Sequence, residues 1–272
     1  MPKWCLKGLW LPIHQVSGNC PAGIRWRYDT YRSGCAFDCA YCSEKIHNRY
    51  NPRVYEGYKS LEAWMKGSYL HSLHSILRFG VLSDPFPDIE NTLRRSYKAM
   101  YVLAEHYQPV IITTKSTLIA SGDYFDILPL LNAVLQVSMV SKDHAGTWEN
   151  KAPQFRDRFA MLYSLSKRVR RLIVRCQPYM IEYLDDVLKM IPRYAYSGVY
   201  GMLVSGISLK HKSGLVNLWH GDGYIYDPDV LRDSMIVIRE CCHDHGVQFF
   251  TNEFHSYDLS DGSCCGSGGL FG

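Results

Sequence analysis

The sequence predicts an α/β fold, a partial (β/α)6 barrel, on three observations. Short apolar runs recur along the chain, each is followed by a longer segment that reads as a helix, and the strand-helix pair repeats six times. The candidate strands are 25–31, 79–83, 109–114, 133–140, 171–176 and 198–205. Several are continuously apolar, as in Val110-Ile-Ile112 and Leu172-Ile-Val174, the pattern of parallel strands covered on both faces. Between and after them, 61–77, 91–107, 123–131, 154–166, 181–190 and 229–243 read as helices. Parallel barrels carry their reacting groups at the C-terminal ends of strands, so the residues just after each run are where chemistry is sought.

Composition sets the outer limits. With 272 residues, 47% of them hydrophobic, the chain can bury one substantial core. The expected division is an N-terminal extension (1–24), the barrel (25–226), and a C-terminal helix, final strand and cysteine-containing tail (227–272). No apolar stretch of about 18 residues occurs, so no membrane span is expected. Met1-Pro-Lys3 does not open a cleavable apolar leader, and the ten cysteines are unevenly spread. Both features fit a reducing, cytoplasmic setting in a prokaryote or a viral host, with metal or redox use of the thiols. The net charge of +4 permits a nucleic-acid partner without demanding one.

After the first strand comes Gly34-Cys-Ala-Phe-Asp-Cys-Ala-Tyr-Cys-Ser43. Cys35, Cys39 and Cys42 can hold three corners of a cubane 4Fe-4S cluster and leave its fourth iron open to a substrate or cofactor. A structural zinc site would need a fourth ligand from Cys5, Cys20 or His47.

The loop resembles that of radical S-adenosyl-L-methionine (SAM) enzymes, and within that superfamily the chain is most similar to the spore photoproduct lyase branch. The resemblance covers 28–205. It rests on Arg32-Ser-Gly-Cys35, Tyr41, Val81-Leu-Ser-Asp-Pro85, Ile112-Thr-Thr-Lys-Ser116 and Val137-Ser-Met-Val-Ser141 in that order. It implies a partial barrel of the radical SAM type, a 4Fe-4S cluster and SAM as cofactors, and an electron donor such as flavodoxin or ferredoxin.

Roles for single residues follow from strand order and this resemblance together. Tyr41 would lean on the SAM adenine or merely pack beside the loop, and Phe37 would cover the cluster. Asp84, with Ser83, complements the SAM ammonium, although Asp-Pro also ends strands. Lys115 and Ser116 suit the SAM carboxylate, its ribose or a substrate phosphate, or else a solvated strand end with a capping serine. Ser138 and Ser141 suit ribose hydroxyls, and Arg175 a bidentate pair with the SAM carboxylate.

The resemblance breaks at Val81. Spore photoproduct lyases carry a hydrogen-donating thiol two residues before the Ser-Asp pair, and valine cannot replace it. Either Cys176 has taken over as donor, or 5′-deoxyadenosine itself returns the hydrogen and the net reaction is an isomerisation. The expected substrate is a nucleobase, a modified thymine in DNA foremost, with Arg168, Arg170 and Arg171 available to phosphates or to a solvated helix end. Aromatic residues near Tyr200 and in His220-Gly-Asp-Gly-Tyr-Ile-Tyr226 are candidates for base stacking or for turns. Alternatives are lyase-type repair of a thymine photoproduct, a small-metabolite or peptide substrate, and a non-catalytic metal-binding nucleic-acid protein. Cys241-Cys-His-Asp-His245 reads as a helix end, and Cys264-Cys265 as part of a flexible tail.

Overall fold

The computed structural model describes residues 13–15, 24–31, 35–42, 57–67, 75–214, 216–220 and 223–271. The strands are β1 (Ile13–Gln15), β2 (Ile24–Tyr28), β3 (Ile76–Phe79), β4 (Val110–Thr114), β5 (Ala133–Ser138), β6 (Arg171–Tyr179), β7 (Gly201–Gly206), β8 (Leu218–His220), β9 (Gly223–Ile225) and β10 (Gln248–Thr251). The helices are α1 (Gly57–Gly67), α2 (Glu90–Leu93), α3 (Arg95–Glu105), α4 (Gly122–Ile127), α5 (Lys142–Trp148), α6 (Phe155–Ala160), α7 (Leu162–Ser166), α8 (Leu184–Tyr196) and α9 (Pro228–Asp244).

One sheet runs in the order β1-β2-β3-β4-β5-β6-β7-β10. Every pairing in it is parallel except that of edge strand β1 with β2. Strands in sequence order with helical crossovers are the predicted partial (β/α)6 barrel. β8 and β9 form a separate hairpin.

Side chains alternate between the two sheet faces. Leu77, Ile112, Leu135 and Val174 share a buried core with Met100 and Leu103 of α3, Ile191 of α8 and Met235 of α9. Ile76, Ile111, Val134, Ile173, Leu203 and Phe250 form a second core on the opposite, concave face. Its cover is not a helix but the C-terminal segment, through Cys265, Leu270 and Phe271. The segment read as a flexible tail is therefore docked on the sheet.

Other departures have local causes. β3 lies at Ile76–Phe79 rather than 79–83, because Gly80 turns the chain at φ +83° and the Asp29 carboxylate takes the next three amides, leaving none for a ladder. The helix expected over 91–107 is broken at Arg94 (φ +49°), where the buried Glu90 carboxylate accepts the amides of Arg95 and Tyr97 and restarts the helix as α3. β6 runs on to Tyr179, and α5 was not expected. Most of 1–24, and 68–74 of the first expected helix, lie outside the described residues. Among the described residues no helix is long and apolar enough to cross a membrane.

Gly80 is the tightest of these backbone positions. A Cβ there would stand 2.5 Å from the Thr113 carbonyl oxygen and 2.7 Å from Pro85 Cδ, whereas at Gly122 (φ +50°) it would meet nothing. Gly80→Ala is expected to cost on the order of 3 kcal/mol and Gly122→Ala on the order of 1 kcal/mol. Chemical denaturation midpoints of the two variants check the difference.

Candidate active site

The cysteine loop follows β2 and lies at the C-terminal end of the parallel strands. Asp38 adopts φ +47°, and the Cys42 amide donates to the Cys39 carbonyl at 3.1 Å, which closes a tight turn between these two cysteines. The Ala40 amide donates to the Trp148 carbonyl at 2.8 Å and ties the loop to the end of α5. Cys39 and Phe37 are buried. The Asp84 amide donates to Cys35 Sγ at 3.4 Å, a contact that stabilises a sulfur bearing negative charge. Burial, and then the Asp84 charge, pushes the Cys35 thiol up to about 12; burial also raises Cys39, with Lys115 acting the other way. In such surroundings a bare thiolate is unfavourable without a compensating cation.

A buried carboxylate that the sequence did not announce organises the loop. Glu149, one residue beyond α5, accepts from Arg158 Nη2 at 2.5 Å and from the Tyr41 hydroxyl, and Lys115 Nζ lies 3.6 Å from its Oε1. Both partners of the Arg158 pair have fully buried side chains. Arg158 Nη1 donates to the Ser138 carbonyl at 2.6 Å, so the same pair holds the end of β5. Lys115 also sits 5.6 Å from the centroid of the Tyr41 ring.

The Ser83-Asp84 turn is built by two aspartates. Asp29 Oδ1 accepts the amides of Val81, Leu82 and Ser83 at 2.8, 2.9 and 3.1 Å. Burial nevertheless raises the Asp29 carboxyl to about 6, with these three amides opposing the rise. Asp84 accepts from the Phe86 and Lys115 amides and from Thr114 Oγ1, stitching the turn to the end of β4. Its oxygens are largely engaged by the protein, so Asp84 first of all positions the turn. The Ser83 hydroxyl is buried and has no hydrogen-bond partner. A buried hydroxyl left unpaired beside the cysteine loop is able to pair with a polar group brought to it.

The other expected residues divide. Lys115 and Tyr41 are at the loop, and Ser138 lies two residues beyond Gln136 on the concave face. Ser116 caps the following turn, its Oγ accepting the Leu118 amide at 3.2 Å. Ser141 is drawn away from the loop, donating to Asp186 Oδ2 of α8 at 2.6 Å, which does not fit a ribose contact. Arg175 lies on the concave face, donating to Gln136 Oε1 at 3.1 Å and to Gln177. Burial, and then the Arg78 guanidinium, lowers its pKa. Cys176, the next residue, necessarily points the other way and packs with Met139, Val187, Met190, Tyr194 and Met202 under the helices. Its side chain faces the helices and not the concave side, which speaks against the expected role as hydrogen donor.

The basic run also changes meaning. Arg168 stacks on Phe125, Arg170 donates to Asn132 Oδ1, and Arg171 donates to the Gly266 and Gly268 carbonyls, all at or before the start of β6 and so at the end opposite the cysteine loop. They brace the fold and do not face phosphates at the loop. In the 241–245 cluster Cys242 is buried core, while His243 pairs with Asp261 and His245 with the Cys241 carbonyl, as a helix end would have it.

No protein-family model matches the chain, and no curated protein matches its sequence. Solved structures share the fold. SuiB of Streptococcus suis bound to S-adenosylmethionine superposes on 85% of this chain with a TM-score of 0.63 at 12% identity. Spore photoproduct lyase complexed with dinucleoside spore photoproduct superposes on 81% of it with a TM-score of 0.65 at 16% identity. SuiB bound to its precursor peptide SuiA gives 0.62 over 85% at 12% identity. The chain spans 51% of SuiB and 75% of the lyase, about half and three quarters of their lengths. At these identities the likeness is one of fold.

Two predictions follow from the buried carboxylates. Glu149→Ala leaves Arg158 as an uncompensated buried charge and is expected to cost about 3–5 kcal/mol by equilibrium denaturation, with Glu149→Gln milder because it keeps an acceptor. For Asp29, a native carboxyl at about 6 against 3.8 in the unfolded chain means the native state holds the extra proton between those values, so stability falls as pH rises through them. Asp29→Asn, which keeps the amide acceptor, is expected to abolish that fall, on the order of 3 kcal/mol at most, in denaturation curves at pH 4 and pH 7.

Proposed function

We propose that this chain is a radical SAM enzyme that abstracts hydrogen from a nucleobase, with a modified thymine in DNA as the substrate. The observation that carries the reading is the cysteine triad on a loop at the C-terminal end of a partial barrel, beside a buried Ser83 hydroxyl with no partner, in a fold shared with SuiB bound to S-adenosylmethionine and with a lyase complexed with dinucleoside spore photoproduct. Cys35, Cys39 and Cys42 would hold a 4Fe-4S cluster. Together with SAM, and with an electron from a flavodoxin- or ferredoxin-class donor, such a cluster supplies a 5′-deoxyadenosyl radical.

This chain's own residues then have defined tasks. Phe37 screens the sulfurs from water, the Asp84 amide steadies Cys35, and the Ser83 hydroxyl and the Lys115 ammonium offer a hydrogen bond and a positive charge for the polar end of SAM. Tyr41, fixed by Glu149, places its ring beside Lys115. The exposed Trp219 of the β8–β9 hairpin and the exposed Phe254 after β10 lie past the C-terminal ends of β7 and β10, where stacked bases could approach the same mouth. A single loop with an open cluster serves a rearrangement as well as a bond cleavage; the source of the returning hydrogen decides whether SAM is regenerated or consumed.

The peptide-bound SuiB match supports a peptide substrate as the second reading. One experiment addresses both. After anaerobic reconstitution with iron and sulfide and reduction, 5′-deoxyadenosine is measured with SAM alone, with thymine-containing DNA, and with unrelated peptide. Cluster-dependent product that DNA stimulates and Cys39→Ala abolishes is the expected result. Product indifferent to DNA would overturn the substrate and keep the chemistry. Neither cluster nor product would overturn the reading as a whole.

A further inference from the structure

Five described cysteines lie outside the cluster loop, and the sheet sorts them. Cys176 packs beneath the helices, and Cys241 and Cys242 belong to α9 and the same helix-side core. Cys264 and Cys265 alone among them belong to the segment that covers the concave face. That segment is seated by specific contacts. Gln136 Nε2 donates to the Cys265 carbonyl at 3.0 Å, and Arg171 Nη1 donates to the Gly266 and Gly268 carbonyls at 2.9 and 2.8 Å. Gly266 (φ +69°) lies so close to the sheet that a Cβ would stand 2.8 Å from Ile173 Cδ1. Cys265 is buried, whereas Cys264 is only partly so.

Arg175 shares a partner with this pair. The amide of Gln136 holds the Cys265 carbonyl and its carbonyl oxygen accepts from Arg175, so the buried guanidinium and the thiol pair lie together on the concave face of the sheet, the face on which Ser138 ends β5.

We propose that Cys264 is the hydrogen-atom donor of this lumen and that Cys265 is its redox partner, replacing the thiol that Val81 lacks. The inference rests on the radical SAM reading and deepens it. The two sulfurs are not equivalent. Cys265 Sγ shares a hydrogen bond with Ser267 Oγ at 2.9 Å and has Ser263 Oγ at 3.7 Å. A hydrogen bond from the Cys264 thiol, and then these serines, bring Cys265 down to about 5 against the cost of burial. The two thiols titrate as a pair that gives up its first proton easily, and Cys264 is the less buried sulfur, the one a substrate radical can reach, with Cys265 held behind it by the serines.

The chemistry closes. The S–H bond of Cys264 breaks homolytically, a C–H bond forms on the substrate-derived carbon radical, and a thiyl radical remains on Cys264. The adjacent Cys265 thiolate adds to it as a disulfide radical anion. Its surplus electron passes to the oxidised form of a flavodoxin- or ferredoxin-class carrier, leaving a Cys264–Cys265 disulfide. A thioredoxin-class dithiol returns two electrons and one proton, restoring one thiol and one thiolate. Adjacent Cα atoms stand only about 3.8 Å apart, short of the range disulfides favour, so the bridge is strained and easily reduced, as a turning-over bond must be. Hydrogen supplied in this way releases 5′-deoxyadenosine as a product at each turnover, so SAM is consumed rather than regenerated.

Two measurements test this. In the first, the cluster-free protein is equilibrated in dithiothreitol redox buffers and digested. The expected result is loss of two hydrogens confined to the peptide containing Cys264 and Cys265, absent in Cys264→Ser. In the second, the reconstituted protein reduces SAM in D2O without substrate, after the Cys264 thiol has exchanged to S–D. The released 5′-deoxyadenosine is expected to carry one solvent deuterium, to lose it in Cys264→Ala, and to keep it in Cys241→Ala. Unlabelled 5′-deoxyadenosine from the unmodified protein overturns the donor and leaves the radical SAM reading standing. No 5′-deoxyadenosine overturns that reading and the inference with it. A bridge that fails to form in the first measurement overturns the role of Cys265.

Discussion

The Glu149 carboxylate is the constraint from which the mouth of the barrel is built. A carboxylate without access to water must be matched by donors, and here they come from three separate elements: Arg158 of α6, Tyr41 of the cysteine loop and, at longer range, Lys115 past β4. The requirement to satisfy one charge therefore fixes three pieces of chain relative to one another. Arg158 adds a fourth by holding the Ser138 carbonyl at the end of β5. Packing alone would leave a short loop of small residues free to slide; charge-assisted hydrogen bonds with fixed directions do not.

The same logic continues at the neighbouring strand. Beyond Phe79 the chain leaves the ladder, and its amides need acceptors that the sheet no longer supplies. Asp29 gathers three of them and Asp84 one more, that of Phe86, while Asp84 also takes the Lys115 amide past β4, so the turn carrying Ser83 is held by side chains from β2's end and from within itself. Most of the capacity of these carboxylates goes into shaping the site. Among the polar atoms left buried without a partner there are the Ser83 hydroxyl and Asp29 Oδ2.

Much of this was legible in the sequence, because burial on both faces of a parallel sheet writes itself as apolar runs. The strands at Val110–Thr114 and Ala133–Ser138 and the helix at Pro228–Asp244 fall within a few residues of expectation for that reason. The cysteine loop was legible because its residue types and spacing have few other uses. Misreadings arose where a side chain far away in sequence decides the backbone. Nothing near Gly80 announces that Asp29 will claim the next three amides, and nothing near Trp148 marks Glu149 as the acceptor for Tyr41, 108 positions earlier. Strand parity, by contrast, was available. Arg175 and Cys176 are neighbours in one strand, so only one of them can face the lumen, and the apolar parity of Leu172 and Val174 assigns Cys176 to the helices.

The C-terminal segment is the strongest case of composition misleading. Asp261-Gly-Ser-Cys-Cys-Gly-Ser-Gly-Gly269 has the makeup of a linker, and glycine and serine are indeed poor at burying surface. A partial barrel, however, has helices on only one side, and its other side offers a strip of isoleucine, valine, leucine and phenylalanine that cannot be left in water. A segment that covers a concave strip of limited depth must be thin. Glycine lets its backbone lie against Ile173 and Phe250 where any larger residue would be held off, and Leu270 and Phe271 then add the apolar area that the glycines lack. Read in this way, the small residues are a condition of docking rather than a sign of freedom, and the two cysteines among them are carried to the concave face by the same requirement that buries the strip.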